Sequence, residues 1–324
     1  MKKKLIVLLG ILFVLVLSSL FLVAFVKQNE NSEEEFTIVT SFYPMYVVTE
    51  NIAGDIPGVE VKNLTEQTSG CLHDYQLTTS DMKKLEGADL LVINGGGMES
   101  FIQDIVNTYP ELNVVNASEG IEFLKSEEHQ HGHGHEEPEE NEETEELDHN
   151  HEQETNAHVW LNMNHYMQQI QTVQDSLAKF DAQNANRYQS NGDAYQKDIL
   201  NLKEEMEHTL KGIEESKIII FHDSFAYLAQ EFGLEVVHAV NLDSESSFSA
   251  GEIAEVIDEV IEEQVTVLFT EEQFSTTIAD SVSKETGAKV YVLDSIVSGD
   301  MAKDAYINAM KKNLEILKEA LMKQ

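Results

Sequence analysis

Eight short apolar runs, spaced along the chain in two sets of four and separated by amphipathic stretches, limit the folds open to this sequence more than any other feature. The first set is Phe36 to Thr40, Val59 to Leu64, Asp89 to Asn94 and Leu112 to Asn116; the second is Lys217 to Phe221, Glu235 to Val240, Thr266 to Phe269 and Lys289 to Leu293. Runs such as DLLVIN and KIIIF are apolar on consecutive residues, where a strand with one wet face would alternate. Strands of that kind, alternating with helices, form parallel sheets buried on both faces. The expected fold class is therefore α/β, with two lobes, each a mostly parallel sheet covered by helices. The N-terminal lobe spans 36–181 and the C-terminal lobe 212–324.

Local signals support the helices between the runs. Thr78 with Asp81 three residues later has the form of a capping box. Ile253, Val256, Ile257, Val260 and Ile261 recur at helical spacing, with Glu255, Asp258, Glu259 and Glu262 opposite, so this stripe is expected to face the core. Gly287 is placed to end the next helix. Gly95, Gly96 and Gly97 lack a following Lys-Ser/Thr and so do not read as a phosphate loop; they suit a strand-to-helix turn that needs positive φ. Between the lobes, residues 182–211 are polar apart from the thread Tyr188, Tyr195, Ile199, Leu202 and Met206, which predicts one rigid connecting helix of roughly 45 Å.

Two segments cannot join these cores. Residues 1–27 contain three lysines followed by an unbroken apolar stretch from Leu5 to Val26, long enough to cross a bilayer. With lysines before it and acidic residues after it, the stretch predicts an N-terminal membrane anchor with the remainder outside the cytoplasm. A cleaved signal peptide, which would leave the protein secreted, is the rival reading. The second segment, 126–155, is almost free of apolar residues and holds six of the twelve histidines, His129, His131, His133, His135, His149 and His151, among glutamates. Such a stretch builds no core and is expected to be disordered without metal. Imidazoles alternating with glycines make it a set of auxiliary weak metal sites, and a solvated acidic linker is the plainer alternative.

The formal net charge of −38 opposes nucleic acid and anionic membrane surfaces as partners and favours cations. One cysteine, Cys71, excludes an internal disulfide and a lipidated cysteine at the end of the apolar stretch; it suits a small buried residue better than a soft ligand. About 260 residues remain once the two segments are removed, enough for both lobes.

In parallel α/β sheets ligands settle beyond the carboxyl ends of strands. His222 and Asp223 follow KIIIF, Asp294 follows KVYVL, Glu271 and Glu272 follow TVLF, His73 lies in the loop after VEVKNL, and His158 sits where the acidic segment ends. These are the candidate metal ligands, and sequence spacing alone does not show that they meet. His165, His208 and His238 read as surface or packing residues.

At these residues the chain resembles the solute-binding proteins of bacterial ABC transporters for zinc and manganese. The resemblance rests on SFYPMY (Ser41 to Tyr46), HDYQLTTSDMKKLEGADLLVINGGGME (His73 to Glu99), HVWL (His158 to Leu161), FHDSFAYLAQEFGL (Phe221 to Leu234) and ETGAKVYVLDS (Glu285 to Ser295). It implies two α/β lobes bridged by one long helix, with the metal site in the interlobe cleft. By the same resemblance the metal ligands are His73, His158, His222 and Asp294, with Glu271 as the alternative fourth. Histidine at the third position, where manganese-type members carry glutamate, and the His-rich segment both resemble the zinc branch. Leu72 before His73, and Asn156 with Ala157 before His158, depart from the family pattern.

Three imidazoles and one carboxylate form a closed tetrahedral set for Zn²⁺ with no position left for a substrate water, whereas manganese prefers more oxygen ligands. The expected function is capture of Zn²⁺, bound as the transported ligand, and delivery to an ABC permease and its ATPase, without enzymatic activity. A manganese-binding or other divalent-metal protein of the same type is the near alternative. A membrane-anchored zinc hydrolase is the distant one, since it would need an open metal position and a base such as Glu271.

Overall fold

The computed structural model describes residues 35–65, 72, 75–126, 155–240, 249–271 and 276–322. The apolar N-terminal stretch, Cys71, His73, Glu272 and the six histidines of the acidic segment lie outside the described residues. Among the described residues no helix is long and apolar enough to cross a membrane.

The first sheet contains β1 (Phe36–Thr40), β2 (Val59–Asn63), β3 (Leu90–Ile93) and β4 (Asn113–Asn116), in the order β2-β1-β3-β4. Every pairing in it is parallel. The second sheet contains β7 (Lys217–Ile220), β8 (Glu235–Ala239), β9 (Val267–Glu271) and β10 (Lys289–Leu293), in the order β10-β9-β7-β8 and again parallel throughout. Counted within its own lobe, each sheet has its first strand between its second and third. Each therefore has one switch point, β1/β3 and β7/β9, where the connections leave to opposite sides and open a crevice at the carboxyl ends. A short antiparallel ribbon of β5 (Leu124–Lys125) and β6 (Thr155–Asn156) lies apart from both sheets.

The helices are α1 (Tyr43–Ala53), α2 (Thr79–Leu85), α3 (Ile102–Thr108), α4 (Met163–Phe180), α5 (Ala185–Thr209), α6 (Ala226–Phe232), α7 (Ala250–Glu262), α8 (Thr277–Thr286) and α9 (Ala305–Met322). The expected capping box opens α2: Thr78 Oγ1 accepts the Asp81 N–H at 3.3 Å, and Asp81 Oδ2 accepts the Thr78 N–H at 2.8 Å. Gly287 closes α8 in the left-handed conformation at φ 81°. Gly95, Gly96 and Gly97 all have positive φ, as a tight turn after β3 requires. A Cβ on Gly95 would also meet the Asn116 side chain at 2.1 Å, so that site is closed to larger residues twice over.

The stripe on α7 is core only in part. Val256 and Val260 are buried and Ile253 and Ile257 pack beside them, but Ile261 is 58% exposed. Each step along a helix turns about 100°, so Ile261 falls at the rim of the apolar arc, beyond the reach of the sheet.

The connecting helix begins as a 3-10 turn, Ala182–Asn184, and continues as the 25 residues of α5, about 37 Å long at ~1.5 Å per residue. Its whole apolar thread, from Tyr188 to Met206, is buried. It packs against α4, α1 and α9. At Gly192 a Cβ would lie 1.9 Å from Gln174 Oε1 on α4, which shows how closely the two helices approach. Tyr166 of α4 stacks on Tyr306 of α9 at 3.8 Å and shares a 3.0 Å hydroxyl contact with Tyr195 of α5.

These contacts fuse the lobes. One apolar cluster takes in Ile38 and Leu91 of the first sheet, Tyr188 and Leu202 of the connecting helix, and Ile220 and Phe269 of the second sheet. A second cluster, around Ile219, Val260, Leu268 and Val282, fills the other face of the second sheet alone. Trp160 Nε1 donates to the Ser295 carbonyl at 2.8 Å, Tyr306 donates to the Trp160 carbonyl at 2.8 Å, and Tyr43 donates to the Asp300 carbonyl at 2.7 Å.

Candidate metal centre

The two crevices are used differently. In the first lobe the β1/β3 crevice is filled by Glu99, whose Oε1 accepts from Ser41 Oγ and the Asn94 N–H, both at 2.7 Å, and whose Oε2 accepts the Gly95 N–H at 3.0 Å. Burial pushes the Glu99 carboxyl up, opposed by those hydrogen bonds. In the second lobe the corresponding crevice holds a histidine. β7 runs out into Phe221 and His222, the latter extended at φ −161° with its ring wholly buried, and a 3-10 turn, Asp223–Phe225, then reverses the chain. β9 ends beside it at Glu271, and His222 Nδ1 lies 2.6 Å from Glu271 Oε2, as an ion pair rather than an aligned hydrogen bond. The other carboxylate oxygen of Glu271 accepts from Ser295 Oγ.

His158 reaches this point from the first lobe. It leaves the β5/β6 ribbon two residues after Asn156, whose Oδ1 accepts the His158 backbone N–H at 3.0 Å and also lies 2.9 Å from the ring Nδ1. That is an Asx turn, in which a short amide replaces a backbone acceptor. The Asn156 Nδ2 donates across the cleft to the Asp223 carbonyl at 2.8 Å, and its own carbonyl accepts from the Tyr227 hydroxyl at 2.8 Å. The His158 and His222 rings end 4.9 Å apart at 77°. The His158 ring also sits 5.2 Å from the fully buried Trp160 ring.

Among the described residues, the carboxylate that joins the two imidazoles is Asp223: one ligand atom from each of His158, His222 and Asp223 lies within 4.8 Å of the others. Its Oδ1 is 3.5 Å from His158 Nδ1 and 3.7 Å from His222 Nε2, and its Oδ2 accepts from Ser126 Oγ at 3.2 Å. Two imidazoles and a carboxylate, buried together, are a donor set for a divalent transition cation.

Asp294 lies one residue from this network. It follows β10, its backbone is held on both sides by the Asn313 side chain, and its Oδ1 accepts the Ile296 N–H at 2.8 Å. Its neighbour Ser295 makes the contacts to Glu271 and Trp160. Asp294 also faces Tyr43, whose hydroxyl is pushed up to about 12 by burial first and by Asp294 and Asp300 next. The structure thus brings His158, His222 and Glu271 together, with Asp294 preceding Ser295 of that network in the chain, while His73 lies outside the described residues. Of the remaining histidines, His165 is half-buried with its ring 5.6 Å from that of Tyr227, His208 is exposed, and His238 Nδ1 pairs with Glu259 at 2.6 Å. Ser126 Oγ donates to Asp223 Oδ2, and Thr155 Oγ1 donates to the Gly96 carbonyl in the turn after β3.

One residue of the site was not marked as such by the sequence, and another was marked but not carried into the ligand set that the resemblance implies. Asp223 was one of several polar residues after a strand. Asn156 stood out only as a departure from the family pattern, although an Asn two residues before a ligand is itself a turn signal.

Comparison with known proteins agrees with this architecture. A family described as "ZnuA: Zinc-uptake complex component A periplasmic" matches residues 38–320. The chain is 30% identical over 299 residues to the high-affinity zinc uptake system protein ZnuA of Bacillus subtilis (strain 168), covering 90% of each chain. It is 28% identical over 311 residues to the zinc-binding lipoprotein AdcA of Streptococcus pneumoniae (strain ATCC BAA-255 / R6), covering 94% of this chain and 59% of that one. The solved structure of the solute-binding protein FpvC of Pseudomonas aeruginosa in complex with Mn²⁺ superposes with a TM-score of 0.75 at 25% identity, over 89% of this chain and 99% of that one. With the family matched over nearly all of the described residues and the two-lobed fold reproduced, this chain belongs to the ZnuA family, the periplasmic component A of zinc-uptake complexes.

Proposed function

We propose that this protein captures Zn²⁺ outside the cytoplasm, in the crevice between its lobes, and delivers it to an ABC-type permease driven by an ATPase. The observation that carries the reading is the meeting of His158, from one lobe, with His222, at the switch point of the other. His73 and Asp294 complete the proposed ligand set, with Glu271 the alternative to Asp294. Three imidazoles and one carboxylate hold zinc in a closed tetrahedron and leave no place for a reacting water, which suits carriage and not hydrolysis. The relatives named for zinc support the choice of metal, and so does a histidine at position 222 in place of an oxygen donor. FpvC holds Mn²⁺ on a similar fold, so manganese is the competitor to test. The apolar N-terminal stretch would keep the protein at the membrane, and the acidic His-rich segment would collect metal near the site.

Calorimetry tests the ligands. Replacing His158 or His222 with Ala, in a chain also lacking 127–154, should weaken zinc binding by orders of magnitude while the lobes still fold, because their cores do not depend on the ion. A variant that binds one zinc as tightly as its parent removes that histidine from the set. Manganese displacing zinc at equal concentration would overturn the choice of metal.

A further inference from the structure

Each histidine of the cluster opens the same kind of chain segment. His158 leads into the 3-10 turn Val159–Leu161 and then α4, and His222 leads into the turn Asp223–Phe225 and then α6. The two segments are tied near the histidines, where Asn156 Nδ2 donates to the Asp223 carbonyl and the Tyr227 hydroxyl donates to the Asn156 carbonyl, both at 2.8 Å. A second tie lies at the far end. An α-helix begins with N–H groups that have no partner within it. In α4 the Asn162 Oδ1 accepts those of Asn164 and His165, at 3.0 and 3.2 Å, and the Met163 N–H is accepted by Glu231 Oε2, which comes from α6. Glu231 Oε1 also accepts from Asn164 Nδ2 at 3.3 Å and lies 3.9 Å from Lys203 Nζ on the connecting helix. The Glu231 side chain is 1% exposed, so water does not stand in for these partners.

We propose that Glu231 is a positioning residue of the metal site: by capping α4 from α6 it fixes the segment that carries His158 against the segment that carries His222. This rests on the zinc-binding reading above. The stretch between cap and histidine is stiff. Val159, Trp160 and Leu161 are fully buried, and Trp160 is bonded through both its Nε1 and its carbonyl, so a shift of α4 is passed on to His158. Slip by one residue along a helix is ~1.5 Å, whereas metal–ligand distances tolerate only about 0.2 Å. What the cap needs is an acceptor oxygen of this reach, which the amide of a glutamine also supplies.

The test uses the full chain and Zn²⁺, with affinity read by chelator competition and stability by chemical denaturation. Glu231→Ala should bind its tight zinc about 10-fold more weakly or worse, and Glu231→Gln, which keeps an oxygen for the Met163 N–H, should stay within about twofold of the parent. With Co²⁺ as the probe, the visible bands of a tetrahedral ion should weaken in Glu231→Ala and return in Glu231→Gln. Ser249→Ala removes the cap of α7, whose bonds run to Glu252, and serves as the control for lost stability alone; its zinc affinity should match the parent's. A folded Glu231→Ala with parental zinc affinity would overturn the proposal. So would a Glu231→Gln as weak as Glu231→Ala, which would make charge and not position the cause, or a Ser249→Ala weakened to the same degree. Should Glu231→Ala fail to fold, Glu231→Asp decides, because it keeps the charge one carbon short of the cap, and parental affinity there would overturn the proposal as well. A parent without tight zinc binding would remove the functional reading itself, a result that no difference between variants can imitate.

Discussion

At the scale of single residues, burial decides more than charge. Glu231 on α6 reaches into the other lobe, where its carboxylate accepts the Met163 N–H at the start of α4 and the Asn164 amide at 3.3 Å, with Lys203 3.9 Å away. Its side chain is 1% exposed, and burial pushes the carboxyl up to about 7 against the pull of Met163 and Lys203. The folded state therefore holds a proton that the unfolded chain releases at lower pH, so this residue's contribution is complete at low pH and declines as pH rises toward 7. That displacement corresponds to roughly 3 kcal/mol. Chemical denaturation at pH 5 and pH 7.5 should show a pH-dependent loss in the parent that Glu231→Gln lacks; equal slopes would deny the buried proton. The same scale shows where sequence reading stopped. His158 and His222 were legible because each stands at a chain reversal in a recognisable motif. The role of Asn156 was not, because its contacts join residues 67 apart, and no local pattern encodes them.

At the scale of elements, the eight strands of the two sheets and two of the helix ends, at Thr78 and Gly287, were read in advance, whereas the capping box at Ser249, the cap at Asn162 and the left-handed Gly233 were not. Parallel strands buried on both faces are apolar on every residue, a signal that survives without any knowledge of partners. Their ends shifted by a residue or so, since strand boundaries depend on neighbours. Ile261 was misjudged for a related reason: helical periodicity gives the width of an apolar arc, but the sheet beneath decides how much of it is covered. The α2 cap offers a clean test, because Thr78 acts chiefly through Asp81. Thr78→Ala should cost about 1 kcal/mol in denaturant titration, in the range for lost N-caps. No change in stability would mean that Asp81 holds the helix start through its bond from Tyr75 instead.

For the whole molecule, the expectation of two α/β lobes and a connecting helix is met, and the interlobe bonds add what composition could not predict. The described residues on either side of the acidic segment, the ribbon of Leu124–Lys125 with Thr155–Asn156 and the adjoining Ser126, bond to the site and to the turn after β3. A deletion should therefore remove 127–154 and leave that base intact. Such a chain should lose its weak zinc equivalents and keep one tight equivalent, because a largely preformed site does not need flexible ligands to wrap the ion. Trp160, the only tryptophan, reports on this site, being fully buried with its ring 5.2 Å from that of His158. Its emission should titrate to one equivalent in both the full and the shortened chain. A missing end point in the shortened chain would show that the segment supplies ligands to the tight site.

The apolar cluster that runs unbroken from one sheet through the connecting helix into the other has a consequence for how cargo leaves. Jaws can spill their contents by swinging apart, but a body with a continuous interior cannot part at the middle without exposing that interior to water. This protein is closer to a socket than to a pair of jaws. A socket lets go when its rim is bent, and the rim here is made of loops: the turn at Asp223, the Asx turn at His158 and the segment after β10. A docking partner that pulls on any one of them disturbs the others through Asn156 and Ser295, so unloading would be a local deformation supplied from outside, and the unaided protein would hold its ion for a long time.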